Sequence, residues 1–322
     1  LKINGSNLCN EIHLPTNEER TAVCCLSSVN LEQFDEWKDT PMIRDLIRFL
    51  DNVLQFFIEN AGDEISKARY SAQQERSLGL GAMGWHSFLH RNRIPFESEK
   101  AQEWNRNIFK HIKDEAVAET QQLAIEKGEC PDMEGTGRRN SHLLAIAPNA
   151  NSSIIASTSP SIEPSKANAY THRTRAGSHL VKNPYLEEEL NKVDKNDAKT
   201  WTSIITNSGS VQHLKFLSDE IKEIFKTAIE INQLEIVQQA ADRQEYLCQG
   251  QSLNVFLASG AKRGDLHKIH YNAWKLGCKG LYYLRTESTN KAENVSVKVV
   301  RDALKDYETQ AMTEAECIAC QG

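Results

Sequence analysis

The chain has 322 residues, of which 39% are hydrophobic and 25% are charged, and its formal net charge is −6. This composition excludes collagen-like and low-complexity chains and argues against extensive disorder. An acidic chain has no excess of basic residues to neutralise a phosphate backbone, so we expect no nucleic-acid partner. No apolar run reaches the ~18 residues that a membrane span needs, and no signal segment is recognisable. We therefore expect no membrane association and a cytoplasmic location.

Apolar periodicity predicts long helices separated by short buried strands. In chain order we expect a strand at 22–27, helices at 41–60 and 98–127, a strand at 143–147, helices at 218–245 and 263–277, and a strand at 280–284. Long helices that alternate with short apolar strands are typical of an α/β fold with parallel strands. After residue 286 the pattern is lost and the sequence becomes polar. We therefore expect one folded region at 1–286 and a mobile tail at 287–322.

A first candidate site lies in the segment Asn7-Leu8-Cys9-Asn10-Glu11. In an extended segment side chains alternate, so Asn7, Cys9 and Glu11 would point to one side. An amide, a thiol and a carboxylate would then lie together, and this set can carry out proton and sulfur chemistry. The alternative is a buried structural cysteine, because free cysteines commonly pack as small hydrophobes.

The remaining cysteines of interest form two pairs. Cys24 and Cys25 are adjacent, and vicinal cysteines rarely bond to each other without strain, so each pairs with a distant thiol or packs. Cys317 and Cys320 form a C-x-x-C motif in the polar tail. A zinc site would need two more ligands, whereas a dithiol can exchange disulfides by itself. A flexible connection of about 30 residues lets the pair sample on the order of 30 Å, which favours a redox shuttle.

Two other patterns are explained better by packing than by ligand binding. The segment 79–84 matches G-x-G-x-x-G, but no apolar strand precedes it, so we expect close helix packing and no nucleotide site. His86 and His90 have metal-ligand spacing but lack the glutamate of a zinc-protease helix, so we expect a surface pair. The sequence predicts no metal site.

A polar turn and a tyrosine pair complete the candidates. The turn follows the predicted strand at 143–147, and small polar residues between a strand and a helix present N–H groups and hydroxyls to an anion. A phosphate fits this pattern, and an ordinary capping turn is the alternative. The turn residues are Asn149, Ala150, Asn151, Ser152 and Ser153.

Tyr282 and Tyr283 are adjacent in a predicted strand, so they should point to opposite faces, and core packing is the usual reason for such a pair.

Taken together, these motifs resemble the C-terminal half of the class I ribonucleotide reductase large subunit. The residues that carry the resemblance are Ser6-Asn7-Leu8-Cys9-Asn10-Glu11-Ile12 with Leu14-Pro15-Thr16, Ala22-Val23-Cys24-Cys25-Leu26-Ser27, the turn at 148–153 with Ser161-Ile162-Glu163-Pro164, Leu281-Tyr282-Tyr283, and the terminal cysteine pair. They follow the family's order and cover essentially the whole chain. The resemblance implies the C-terminal half of a ten-stranded α/β barrel with a finger loop, followed by a flexible tail.

The resemblance also implies roles for the residues of the finger loop. Cys9 would become a thiyl radical that abstracts the 3′ hydrogen of the ribose. Glu11 would act as the base on the 3′ hydroxyl, and Asn7 would hold the neighbouring hydroxyl. Cys24 would be one of the two thiols that reduce the 2′ position, although the adjacent Cys25 departs from the family pattern.

The other motifs acquire roles in the same way. Tyr282 and Tyr283 would pass the radical from the small subunit to Cys9, and the terminal cysteine pair would re-reduce the active-site disulfide. The 149–153 turn would bind the phosphates of the substrate. Ala150 places a methyl group where many relatives have a polar or acidic side chain, which leaves backbone N–H groups as the expected donors.

Most of the implied partners and cofactors lie outside this chain. They are the N-terminal half of the large subunit, a small (β) subunit with a di-iron centre and tyrosyl radical, thioredoxin or glutaredoxin, and a ribonucleoside diphosphate. Nucleotide effectors would bind mainly the N-terminal half. We expect no cofactor in this chain and no turnover by it alone. The chain could be a split-gene product, a processed polypeptide or a truncated polypeptide, and of these we favour a split large subunit of the bacteriophage type. A bacteriophage subunit would act in the host cytoplasm.

Two alternative functions remain to be distinguished. A cobalamin-dependent ribonucleotide reductase also has a finger-loop cysteine and a C-terminal dithiol, but it makes its radical in place and needs no tyrosine relay. A non-catalytic thiol-exchange module would use Cys317 and Cys320 alone.

Overall fold

The computed structural model describes residues 2–174 and 177–286. The predicted tail at 287–322, with Cys317 and Cys320, lies outside these residues. The α-helices are α1 (Phe34–Trp37), α2 (Met42–Asn60), α3 (Ser66–Glu75), α4 (Trp85–Arg91), α5 (Glu99–Lys127), α6 (Ser152–Ile155), α7 (Pro184–Lys192), α8 (Ala198–Thr206), α9 (Asp219–Ile224), α10 (Gln233–Gln244) and α11 (Arg263–Lys275). The strands are β1 (Leu26–Asn30), β2 (Gly79–Met83), β3 (Ala169–Thr174), β4 (Gly177–Lys182), β5 (Val255–Leu257) and β6 (Leu284–Thr286).

The described residues form two compact units. The first combines the residues up to Pro164 with those from Ile231 onward, and the second is Ser165–Glu230. In the second unit an antiparallel hairpin of β3 and β4 accompanies α7, α8 and α9, and the unit has its own apolar core around Leu190 and Ile204. We predicted a single folded region because no change in composition marks either end of this insertion. The predicted boundary after residue 286 stays a prediction.

The first unit is organised around parallel strands, as predicted. β1 pairs with β2 from Leu26–Gly79 to Asn30–Met83, and β5 pairs with β6; both pairs are parallel. Single parallel bridges join Leu80 to Leu144 and Ile146 to Gln251. The order across the array is therefore β1, β2, the 144–146 segment, the segment leading into β5, and β6. This arrangement confirms the α/β class.

The predicted strands are displaced from the observed ones. The strand expected at 22–27 begins only at Leu26, and the strand expected at 280–284 begins at Leu284. The apolar run at 143–147 contributes bridges but is not a regular strand. Apolar character therefore located the segments that enter the sheet, whereas the partner's register decided which residues pair.

Three of the four predicted helices are confirmed, as α2, α5 and α11. Side-chain caps explain one of the boundaries, since Ser98 accepts a hydrogen bond from the Ala101 N–H at the start of α5. The helix expected at 218–245 is wrong, because it is broken into α9 and α10. The break contains a turn in which Thr227 bonds to Glu230, and Asn232 then caps α10.

Helix α2 shows how these helices cover the array. Its buried face packs against α5, and the buried residues at helical spacing are Ile43, Ile47, Leu50, Leu54 and Ile58. Asp51 lies on the same face, fully buried, where it accepts hydrogen bonds from Arg76 and Arg139. Within the described residues, no helix combines the length and the apolar character that crossing a membrane requires.

The glycine-rich segment at 79–84 is a buried strand, so the prediction of helix packing is wrong. β2 lies between β1 and the 144–146 segment. A Cβ atom on Gly81 would overlap the carbonyl oxygen of Ala145. Glycine is therefore required here for the close approach of two backbones.

The histidine pair is also buried, which corrects the prediction of a surface site. His86 and His90 are 0% and 3% exposed, and their ring centroids are 3.9 Å apart. Burial and the neighbouring His90 hold the pKa of His86 well below its usual value. Helix α4 also buries Trp85, Phe88 and Leu89, so both histidines pack in the interior.

Candidate active site

The finger segment forms a tight turn, so the predicted extended alternation is wrong. The Asn10 N–H donates to the carbonyl oxygen of Asn7 at 3.2 Å, and Asn10 has a left-handed φ of 64°. The Ile12 N–H donates to Asn7 Oδ1 at 3.1 Å. Among the described residues, the Asn7 side-chain NH₂ has no acceptor. The carbonyl and side-chain oxygens of Asn7 therefore close the turn, and its side-chain NH₂ group is available to another partner.

Two other segments hold this turn. The Gly250 N–H donates to the carbonyl oxygen of Glu11 at 2.7 Å, and Ser252 Oγ donates to that of Cys9 at 2.6 Å. Asn10 Nδ2 donates to the carbonyl oxygen of Leu281 at 3.1 Å. The contact with Asn10 leaves no room for a Cβ atom on Gly280. The finger is therefore fixed to the segments before β5 and before β6.

The turn places the Cys9 thiol against the tyrosine pair. Cys9 Sγ lies 3.6 Å from Tyr282 Oη, although the two residues are 273 positions apart in the chain. The rings of Tyr282 and Tyr283 have centroids 4.0 Å apart and are tilted by 40°. The prediction that the two tyrosines point to opposite faces is therefore wrong, and sulfur, phenol and phenol form a continuous series of contacts.

The local environment keeps Tyr282 protonated. Burial and hydrogen bonds with Cys9 and Tyr283 raise the pKa of Tyr282 above its ordinary value of 10.0. A protonated phenol whose oxygen lies 3.6 Å from the sulfur can exchange a hydrogen atom with it. On the other side of the pair, the Arg285 guanidinium lies 4.5 Å from the Tyr283 ring centroid.

Glu11 is the buried carboxylate of the finger. Its residue is 3% exposed, and Ser252 Oγ lies 3.2 Å from its Oε2. Ser252 thus touches both the Cys9 carbonyl and the Glu11 carboxylate, which fixes the two residues relative to each other. A buried carboxylate beside a thiol can accept a proton from a bound hydroxyl group.

The adjacent cysteines have opposite environments. Cys24 is exposed, whereas Cys25 is 8% exposed and its thiol contacts the Leu50 carbonyl oxygen in α2. Partial burial and the charges of Glu11 and Cys9 raise the pKa of Cys24. Burial and the charge of Asp51 raise the pKa of Cys25 to about 11. Cys24 therefore shares the electrostatic environment of the finger, and Cys25 belongs to the core.

The polar turn after the 143–147 segment is partly as predicted. Asn149 has a φ of 55°, and its side-chain amide lies 2.9 Å from Ser28 Oγ. Among the described residues, the backbone N–H groups of 150–152 have no acceptor. Ser153 is an exception to the expectation of outward hydroxyls, because it is buried and its Oγ donates to the Ala150 carbonyl oxygen. The turn therefore offers backbone donors to an anion.

The polar segment 249–254, which supports the finger, was not among the predicted site residues. Four of its side chains are at most 4% exposed, although all four are polar: Gln249, Gln251, Ser252 and Asn254. A polar run directly before the apolar strand β5 was the available signal. Its burial could not be seen, because the partners of these side chains come from distant parts of the chain.

Comparison with known proteins identifies the family. The model of the ribonucleotide reductase barrel domain matches residues 1–137 and 132–284. A candidate ribonucleoside-diphosphate reductase large subunit of Frog virus 3 is 52% identical over 100% of this chain and 56% of its own length. The large subunit of Invertebrate iridescent virus 3 is 43% identical over 100% of this chain and 51% of its own length. The chain thus spans about half the length of these relatives.

A solved structure agrees with these relatives. The class Id ribonucleotide reductase alpha subunit of Actinobacillus ureae superposes with a TM-score of 0.84 at 44% identity, covering 89% of this chain and 54% of that one. This agreement confirms the barrel fold expected from the motifs. The chain therefore belongs to the ribonucleotide reductase family, as part of the barrel domain of the large subunit.

Proposed function

We propose that this chain supplies the thiyl-radical part of a ribonucleoside-diphosphate reductase, which makes deoxyribonucleoside diphosphates. The observation that carries the proposal is the contact series from Cys9 Sγ through Tyr282 Oη, at 3.6 Å, to the Tyr283 ring. A buried carboxylate, Glu11, lies in the same turn. These groups are the ones that a radical reduction of a ribose needs at one place.

In the proposed reaction, a radical reaches Tyr283 and then Tyr282. The Tyr282 oxygen radical takes the hydrogen atom of Cys9, so that the S–H bond breaks and an O–H bond forms. The Cys9 sulfur radical abstracts the 3′ hydrogen of the ribose, and Glu11 removes the proton of the 3′ hydroxyl. Asn7 orients the neighbouring hydroxyl with its free NH₂ group.

The reduction itself consumes two thiols. Cys24 and a second thiol from the other part of the barrel give two electrons and two protons. The 2′ hydroxyl leaves as water, a 2′ hydrogen replaces it, and a disulfide forms. Glu11 then returns the proton to the 3′ oxygen, Cys9 returns the hydrogen atom to C3′, and the Cys9 sulfur radical takes a hydrogen atom back from Tyr282, which restores the radical to the tyrosine pair. Cys317 and Cys320 then reduce this disulfide by exchange, and thioredoxin or glutaredoxin reduces them in turn.

Substrate binding is assigned to the 149–153 turn. The free N–H groups of 150–152 suit the diphosphate oxygens, because a neutral turn with unpaired amides is an anion site. Ala150 adds no negative charge to compete with the phosphates. The neighbouring Ser28 contacts the side chain of Asn149, the residue with a left-handed φ at the start of this turn.

Full activity needs partners. We propose the N-terminal half of the large subunit, which would also bind most effectors, and a small subunit with a di-iron centre and a tyrosyl radical. The assembled enzyme would work in the cytoplasm, that of the host if the chain is viral. A cobalamin-dependent enzyme has no use for a tyrosine pair that contacts the finger cysteine, so that alternative is disfavoured.

The decisive experiment assembles this chain with the rest of the barrel and a radical-generating small subunit, and measures ribonucleoside-diphosphate reduction. Cys9→Ser should remove all product. Replacing Cys317 and Cys320 by serine should stop turnover driven by thioredoxin but spare turnover driven by dithiothreitol.

Three outcomes would contradict the proposal. Turnover that survives Cys9→Ser would exclude the thiyl role of this residue. Activity restored by adenosylcobalamin without a second subunit would favour the cobalamin class. Reduction of the tail by thioredoxin, without any nucleotide binding to the assembly, would favour the thiol-exchange module.

A further inference from the structure

The tyrosine pair lies at an irregularity in the ladder between the polar segment and β6. In a regular parallel ladder, the N–H and the carbonyl of one residue bond to the two residues that flank its partner on the neighbouring strand. Here the Tyr282 N–H donates to the Leu253 carbonyl at 2.8 Å, whereas the Val255 N–H donates to the Tyr283 carbonyl at 3.0 Å. The donating N–H and the accepting carbonyl thus belong to two consecutive residues, Tyr282 and Tyr283, and not to one, as in a β-bulge.

The bulge explains how adjacent tyrosines stack. On a regular strand, neighbouring side chains point to opposite faces. A bulge places two consecutive residues against one partner residue and re-aims a side chain. The rings of Tyr282 and Tyr283 can therefore lie on one side, with centroids 4.0 Å apart.

The bulge leaves the Tyr283 N–H without a carbonyl partner, and one side chain takes that place. Asn254 Oδ1 accepts the Tyr283 N–H at 3.0 Å. Asn254 Nδ2 donates in turn to the carboxylate of Glu163. Asn254 and Glu163 are both 4% exposed, so both groups are buried away from bulk water. The two ends of one buried amide thus join the tyrosine backbone to a carboxylate.

We propose that Asn254, held in orientation by Glu163, is the positioning residue that keeps the tyrosine pair stacked. The inference rests on the proposed function, because stacking matters only if a radical passes between the rings. Asn254 touches neither a phenol oxygen nor the sulfur, so it acts through the Tyr283 backbone. Without this acceptor, a buried N–H is left unpaired, which is costly. The strand can then regularise by moving the Tyr283 N–H to the Leu253 carbonyl, which turns one ring to the other face.

Substitutions that exchange the charges of Asn254 and Glu163 test this assignment in the assembled enzyme. Asn254→Asp places two carboxylates together and removes the donor to Glu163, so the side chain loses its orientation. We expect kcat to fall on the order of 10²-fold, the scale of a small misplacement of reacting groups, with KM close to wild type. The thermal midpoint should also fall, because the two buried carboxylates repel each other and the Tyr283 N–H loses its acceptor. In the double variant N254D/E163Q, the glutamine NH₂ donates to the aspartate. The second aspartate oxygen then accepts the Tyr283 N–H, and most of the kcat should return.

A second measurement does not depend on turnover. Amide hydrogen exchange at Tyr283 should be faster in N254D and protected again in N254D/E163Q. Asn60→Asp, an exposed change at the end of α2, is the matched control and should alter neither kcat nor the exchange at Tyr283.

The possible outcomes distinguish a failure of this proposal from a failure of the proposed function. Wild-type kcat in N254D, no difference between the single and double variants, or unchanged exchange at Tyr283 would overturn the proposal. A fall in kcat matched by a raised KM, or a double variant that recovers the thermal midpoint but not kcat, would also overturn it, because either pattern indicates a purely structural residue. If the wild-type assembly reduces no nucleotide, the proposed function fails, and the exchange measurement alone decides whether Asn254 holds the bulge.

Discussion

At the scale of single residues, the chemistry depends on which way a side chain points from an extended segment. Cys24 and Cys25 are neighbours, yet one is exposed near the charge of Glu11 and the other is buried against α2. Alternation along the segment sends successive side chains to opposite sides. The reducing role proposed for Cys24, and not for Cys25, follows from this separation.

We expect the two thiols to differ in their reaction with N-ethylmaleimide. At pH 8, Cys24 should be labelled first, because Cys25 is buried and its pKa is raised to about 11. The thiolate is the reactive form, so a thiol with that pKa is only about 10⁻³ ionised at pH 8. Labelling of Cys25 should therefore accelerate as the pH rises toward 11.

Fragment mass spectrometry locates the label, and Cys25→Ser should leave the labelling of Cys24 unchanged. Equal rates at pH 8 would contradict the assignment.

At the scale of elements, close backbone contacts decide where strands can lie. β2 approaches the 144–146 segment so closely that Gly81 has no room for a side chain, whereas Gly264 in α11 faces open space. The three glycines in 79–84 match the G-x-G-x-x-G motif. The need for glycine, however, comes from the close approach of Gly81 to the backbone of Ala145 across the sheet.

The two glycines make a matched pair for a stability experiment. Gly81→Ala should lower the free energy of unfolding by about 1–3 kcal/mol, because an added methyl group must displace the Ala145 backbone. Gly264→Ala should raise it by about 0.5–1 kcal/mol, since alanine favours the helix. Urea unfolding of both variants measures the difference. A Gly81 variant as stable as wild type would show that β2 can move away from its neighbour.

At the scale of the whole molecule, the candidate site exists only because distant segments meet. The finger near the N-terminal end, the polar segment before β5 and the tyrosine pair before β6 are joined by hydrogen bonds such as that from Asn10 to Leu281. The contact between Cys9 and Tyr282 spans 273 positions of the sequence. The radical path proposed here is therefore a property of the folded array and of none of its segments.

Removing one oxygen atom tests this path. In the assembled enzyme, Tyr282→Phe should reduce turnover at least 10³-fold, the scale of an essential group, because the ring remains but no O–H bond can form or break. Nucleotide binding should be unchanged. Tyr70→Phe removes a hydroxyl from a 40% exposed tyrosine elsewhere in the unit and should keep wild-type turnover. Substantial turnover by Tyr282→Phe would exclude the hydrogen-atom transfer to Cys9.

Much of this protein was readable from local chemistry. Helical periodicity located α2, α5 and α11, because an amphipathic helix carries its buried face in its own sequence. The motifs around Cys9, Cys24, Asn149 and the tyrosine pair, taken in order, were sufficient to indicate the family. Their proposed roles follow from residue type: a sulfur for radical chemistry, a carboxylate for the proton and phenols for the relay.

The tertiary structure alone decided the geometry that would make these groups work together. The anchoring of the finger at Gly250, Ser252 and Leu281 and the bulge at Tyr283 depend on partners that are distant in sequence. A local pattern specifies what a side chain can do, whereas a hydrogen bond to a remote backbone group specifies where that side chain is. The sequence by itself thus determined the chemical groups and the α/β class, and long-range pairing determined that sulfur, phenol and phenol are in contact.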